Sequence, residues 1–195
     1  MLLVGCSSKE MTPKNLPVTA NVKGEWIDEN TYKNEFFKMT FKSPKGWILQ
    51  KTMPSADHLI DDSSRGRAVK EAMEKTHNPL SVTRHQAGGA NYNIVIENVS
   101  RLNIETIDEY IKVALDSLDV MKLDFKVVKK EKKLNYLGAE WSSVQLETRV
   151  GDKLLYQRMY GMLKGGNVLL LNITSALKED SELYAAIESS ISFAK

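Results

Sequence analysis

The sequence holds one cysteine in 195 residues, at position 6. An internal disulfide is therefore excluded, and so are thiolate zinc sites and CxxC redox motifs, each of which needs companion cysteines. Charge of one sign is missing as well. The 27 basic and 25 acidic residues leave a formal net charge of +2, too little for the field that nucleic acid or an acidic substrate calls for, and no nucleic-acid partner is expected. No run of 18 apolar residues occurs, so nothing in the chain as written spans a bilayer as a helix. There is no GxSxG elbow, and the glycine pairs of QAGGAN (86–91) and KGGN (164–167) lack the spacing of a phosphate-binding fingerprint. They read as hairpin turns. What is present is an ordinary globular composition, 42% hydrophobic and 27% charged, enough for one well-buried core.

The lone cysteine needs its own explanation. Leu3, Val4, Gly5 and Cys6 resemble a bacterial lipobox, in which small side chains let an extended backbone enter a peptidase cleft and the cysteine thiol accepts a diacylglyceryl group. An export signal also needs a basic start and an apolar stretch of about 7–15 residues, whereas five residues precede Cys6. The expectation is that the chain as written lacks most of its signal. The alternative is a cysteine that packs as a small hydrophobe. Residues 7–23 are polar, carry Pro13 and Pro17 and have no period, which suits a flexible tether with a span of roughly 20–25 Å. The expected organisation is thus a lipobox remnant and tether over 1–23 and one globular domain over 24–195.

Phe37, Met39 and Phe41 alternate with Lys38, Thr40 and Lys42, the pattern of a strand buried on one face. Ser43 to Gly46 reads as a turn, and Trp47 to Leu49 as the start of the return strand. Tyr92, Ile94 and Ile96 alternate with Asn93, Val95 and Glu97 in a second strand, preceded by a hairpin loop at Gly88 and Gly89. Ile107, Ile111, Ala114, Leu115 and Leu118 recur at helical spacing behind a Thr106 to Glu109 capping box. Further helices are expected over 64–75 and 181–189, the last with a Leu183, Ala186 and Ile187 stripe. Strands are expected over 122–130, 138–149, 153–164 and 167–175, divided by KLNYLG, VGDK and KGGN turns. This succession predicts an α+β class with a mostly antiparallel sheet.

The stretch with Tyr32, Asn34, Phe37, Pro44, Gly46 and Trp47, followed by the helix around Ile107, the strands from Gly138 and the closing Ile191, Ser192 and Phe193, resembles the PsbP-like group. That group includes extrinsic photosystem II subunits, a small Ran-binding nuclear protein and bacterial lipoproteins of unassigned function. The resemblance covers residues 24–195 and implies an antiparallel sheet sandwiched by helices, a PsbP-like α/β/α sandwich. It implies no chemistry, because a shared fold does not carry a shared site.

Candidate chemistry is sparse. His58 with Asp57, Asp61 and Asp62 offers imidazole and carboxylate ligands to a divalent metal if the loop folds back, but the spacing matches no defined motif, and a solvated acidic loop leading into a helix is the preferred reading. His77 and His85 have no sequence-defined partner. Lys129, Lys130, Lys132 and Lys133, with Lys122 and Lys126, suit contact with anionic lipid, or simply protect a strand edge. Trp26, Trp47 and Trp141 read as core. The sequence therefore points to an exported lipoprotein held to the bacterial cell membrane, in the cell envelope, by a palmitate-type acyl anchor on Cys6. Its domain is expected to be non-catalytic, to bind a protein partner or support a complex, and to need no cofactor. A small-ligand or divalent-metal module is the alternative, and an enzyme of unassigned class stands third.

Overall fold

The structure, a computed structural model, describes residues 22–51, 76–84, 89–100, 102–120 and 123–194. Eleven strands and two helices run along the described residues in the order β1 (Glu25–Trp26), β2 (Thr31–Asn34), β3 (Met39–Lys42), β4 (Trp47–Gln50), β5 (Thr76–Arg84), β6 (Asn91–Asn98), α1 (Ile107–Val120), β7 (Asp124–Tyr136), β8 (Ala139–Val150), β9 (Lys153–Lys164), β10 (Asn167–Ser175), α2 (Ser181–Ser190) and β11 (Ile191–Phe193). They form a four-stranded sheet, β1-β2-β3-β11, and a seven-stranded sheet, β4-β5-β6-β10-β9-β8-β7. All pairings are antiparallel.

The expected helix-sandwiched α+β arrangement is corrected by this topology, and with it the architecture that the PsbP-like resemblance implied. The protein is β-rich. One face of the larger sheet carries α1; the other is covered mainly by the smaller sheet, with α2 beside it. Strand β10 explains why the sequence left this open. Val168 and Leu170 pack in the cluster that holds Tyr110 of α1, while Leu169, Leu171 and Ile173 pack with Phe41, Leu183 and Ile191 on the far face. A continuous apolar strand reports burial on both faces. It does not report whether a helix or a sheet does the covering.

Several local expectations are met. Tyr92, Ile94 and Ile96 are buried and Val95 and Glu97 face the other way. Phe37, Met39 and Phe41 are buried too, but β3 begins only at Met39. Phe37 lies in the β2–β3 turn, where Lys38 has φ 57° and the Asn34 Oδ1 accepts the Phe37 N–H at 2.9 Å. Asn34 is fully buried, and its amide donates to the Val22 carbonyl at 2.8 Å while the Tyr32 hydroxyl donates to that of Lys23. These two side chains therefore fasten the entering chain to the smaller sheet. Gly24 must be glycine here: it has φ 70°, and a Cβ would stand 2.6 Å from the Lys33 carbonyl.

Two strand expectations are corrected. Trp47–Gln50 does not return along β3 but crosses to the edge of the larger sheet and pairs with β5. The Pro44 corner redirects the chain, and periodicity cannot say which partner a strand finds. Strand β7 runs on to Tyr136 instead of stopping at 130, through bulges between Val127 and Lys129 and between Glu131 and Leu134. Bulges break the period-2 signal by which strands are recognised. The 64–75 helix lies outside the described residues.

Candidate functional site

Helix α1 is fixed at its start by the reciprocal capping box. The Thr106 Oγ1 accepts the Glu109 N–H at 3.2 Å, and the Glu109 carboxylate accepts the N–H groups of Glu105 and Thr106 at 2.9 and 3.1 Å. Those backbone donors hold the Glu109 carboxyl below the usual carboxylate range. Gly161 of β9 lets the helix settle closely, since a Cβ there would stand 2.7 Å from Ile107 Cδ1. Ile111 and Leu115 then meet Val144 and Leu146, while Tyr110 meets Val99, Val168 and Leu170. Met159 belongs to the rim of both clusters.

Between these contacts the packing is incomplete. A groove of about 280 Å³ runs along α1 over Met159 and Val144, flanked by Ala114, Leu115 and Leu118 and open at Leu102 and Val113. Its polar element is one pair. The Tyr110 hydroxyl donates to Glu97 Oε2 at 2.5 Å. Burial, the Glu97 hydrogen bond and the Glu97 charge push the Tyr110 phenol far above its ordinary value of 10.0, so it remains a donor throughout the neutral range. A half-buried carboxylate that spends one oxygen on Tyr110 keeps acceptor capacity for a ligand N–H or O–H.

A second, smaller recess of about 50 Å³ lies on the opposite face beside Arg158, Tyr156 and Tyr184. The Arg158 guanidinium stands over the rings of Tyr160 and Tyr184 at 5.8 and 5.7 Å and donates to the Tyr160 hydroxyl at 2.9 Å. Tyr136 stacks on Tyr160 at 4.8 Å, and its buried hydroxyl has no hydrogen-bond partner among the described residues. Burial, followed by Tyr160 and Glu188, pushes the Tyr136 phenol up. Of these two openings the groove at α1 is the larger.

Cys6, His58, Asp57, Asp61 and Asp62 lie outside the described residues, as does His85; the backbone of His77 pairs with Ile96 in β5. Among the described residues no three histidine, cysteine, aspartate or glutamate side chains gather as a metal site. Lys129, Lys130, Lys132 and Lys133 are exposed on β7, the edge strand of the larger sheet. Two are paired, Lys129 with Glu131 at 2.7 Å and Lys132 with Asp108 at 2.6 Å. Trp141 is buried, while Trp26 and Trp47 are half-buried against the same core. Sequence reasoning missed Glu97 and Tyr110 as a pair. The available signal was slight: Tyr110 is the one hydroxyl in the α1 stripe, while Glu97 shares its side of β6 with Asn91 and Asn93.

No family model matches the chain, and no curated protein matches it. Among solved structures it is similar to LpqN, involved in cell envelope biogenesis of Mycobacterium tuberculosis, at 15% identity and a TM-score of 0.42, over 80% of this chain and 83% of that one. At that level the likeness assigns neither family nor activity. None of these comparisons supports the PsbP-like resemblance, whose implied helix-sandwiched sheet the topology has corrected. No helix among the described residues is long and apolar enough to cross a membrane.

Proposed function

We propose that the protein is an exported binding domain, tethered to the membrane through an acyl group on Cys6, that holds an apolar ligand in the groove along α1 and acts without catalysis. The observation that carries this reading is the groove itself: concave, apolar along Met159, Leu115 and Leu118, and marked at one wall by the Glu97–Tyr110 pair. Ligand sites combine such walls with few orienting polar groups. Its volume of about 280 Å³ suits a short alkyl chain with a hydroxyl or amide head for Glu97. The Leu3 to Cys6 lipobox supports the tether.

A second reading is favoured by the rim. Leu102 and Val113 are 56% and 47% exposed, which suits a partner protein that inserts one apolar side chain there. The test is thermal unfolding of the full chain with 1-octanol as probe. At tenfold its Kd a ligand of the native state adds about 1.4 kcal/mol, which raises Tm by about 3–6 °C in a chain of this size. Ala114→Phe fills the groove and removes that rise. No rise, or a rise that survives the filling, counts against the small-ligand reading. The tether is tested separately by the intact mass of the native protein, where an unmodified Cys6 contradicts it.

A further inference from the structure

Among the described residues strand β7 is the terminal strand of the larger sheet and pairs with β8 alone. Its alternating side chains flank that rim from the two faces of the sheet. This rim is basic. Over Asp124–Tyr136 five lysines stand against two carboxylates, Asp124 and Glu131, in a chain whose net charge is only +2. Lys126, Lys130 and Lys133 make no direct ion pair among the described residues.

Lysines and bulges on an edge strand discourage the addition of a further strand, which accounts for the charge but leaves another feature unexplained. Leu123, Val127 and Val128 are 43%, 37% and 46% exposed along the same rim. Apolar side chains are what an edge guarded against pairing should avoid. The register shifts at the first bulge, between Val127 and Lys129, so Val127 and Val128 stand at the bulge, flanked in sequence by Lys126 and by Lys129 and Lys130. Cations interleaved with a few exposed apolar groups are the composition of a surface that rests in a headgroup layer, the lysines meeting phosphates and the apolar tips reaching the acyl boundary.

We infer that the β7 rim docks on an anionic lipid surface, through Lys126, Lys130 and Lys133 with Leu123, Val127 and Val128. The inference rests on the tethered reading above for its setting, since an acyl chain on Cys6 keeps the domain at high effective concentration beside the bilayer. Its contacts are nonetheless independent of the acyl group. The experiment therefore uses the full chain with Cys6→Ser, co-sedimented with vesicles of 30% phosphatidylglycerol in phosphatidylcholine and with vesicles of phosphatidylcholine alone. The expected result is binding to the anionic vesicles that weakens at least tenfold from 0.05 to 0.5 M salt, as screening shortens its range. The triple variant K126E/K130E/K133E weakens it at least tenfold at low salt, and the uncharged V127S/V128S weakens it without altering the salt dependence. All five positions are exposed, and unchanged circular dichroism verifies the fold of each variant. Absence of binding to the anionic vesicles overturns the inference, as does equal binding to the neutral ones or binding unaltered by either variant. Acylation at Cys6, read from the mass of the native protein, can fail or succeed independently of these outcomes.

Discussion

Asp180 ties the start of α2 to the ends of β5 and β10, and removing its carboxylate should be among the costliest single changes in the protein. It is 3% exposed and caps α2: its Oδ1 accepts the Leu183 N–H at 3.1 Å and the Arg84 guanidinium at 2.5 Å, and its Oδ2 accepts the Ser175 hydroxyl at 2.6 Å. Arg84 is itself 18% exposed and lies 5.3 Å from the centre of the Trp47 ring. Loss of a helix cap alone costs about 0.5–2 kcal/mol. Asp180→Ala also strands a largely buried guanidinium, whose other carboxylate neighbour, Glu182, is exposed and 3.6 Å away. Breaking one partner of a buried pair costs about 3–5 kcal/mol, and that is the expected loss in urea melts followed by Trp fluorescence. Arg84→Met should cost less, about 1–3 kcal/mol, because Asp180 keeps the Ser175 and Leu183 donors. The double variant should reveal about 1–3 kcal/mol of coupling. Acid completes the case. Burial raises the Asp180 carboxyl, but the Ser175, Arg84 and Leu183 donors outweigh it and hold it below its ordinary value of 3.8. Its contribution is present above 3.8 and lost as pH falls through the lower, folded value. Asp180→Asn should therefore flatten that part of the acid limb. A loss from Asp180→Ala within the range of a cap alone, or additive single effects, would refute the reasoning.

Phe41→Ala, at a fully buried position, should cost about 3–5 kcal/mol and exposed Lys42→Ala within about 0.5 kcal/mol; similar denaturation midpoints for the two would show that the β3 phase is misassigned. Thr106→Ala removes one half of the α1 capping box and should cost about 1 kcal/mol; an unchanged melt would mean that the box contributes nothing net. Stability should also decline in alkali. Burial, opposed only by the Ser190 hydrogen bond, pushes the Tyr92 phenol to about 12, and burial likewise raises Tyr32, Tyr136, Tyr160 and Tyr184. The unfolded chain releases these protons near pH 10 and the folded one later, so the contribution is full below 10 and lost as pH rises through the folded values. Absorbance titration at 295 nm that finds every tyrosine ionising near pH 10 in the folded protein would contradict the buried cluster.

What the sequence disclosed was local periodicity, and what it withheld was partnership. Tyr92, Ile94 and Ile96 could be assigned to one face because alternation follows directly from the pleat, and α1 because its stripe and capping box agree. The turns at Gly151 and at Gly165–Gly166 were legible from residues that tolerate the positive φ found there. The crossing of Trp47–Gln50 to the second sheet and the pairing of Ile191 with Phe41, 150 residues apart in sequence, are long-range matters on which a period is silent. Strand β7 was cut short because its bulges destroyed the alternation used to detect it. The groove was hidden for a different reason: a cavity is a deficit of packing between α1, β8 and β9, and each lining residue, taken singly, reads as ordinary core. Only Glu97 and Tyr110 carried a trace, and they meet across 13 positions of sequence.

The most direct test of the binding groove is methyl NMR of Met159, the side chain at its floor and on the rim of both clusters beneath α1. In the full chain titrated with 1-octanol, its methyl signal should move progressively to saturation, and Ala114→Phe should abolish the movement while leaving the spectrum of the remote Met39 unchanged. A Met159 signal that stays in place through the titration, or that moves equally in the filled variant, would contradict the account.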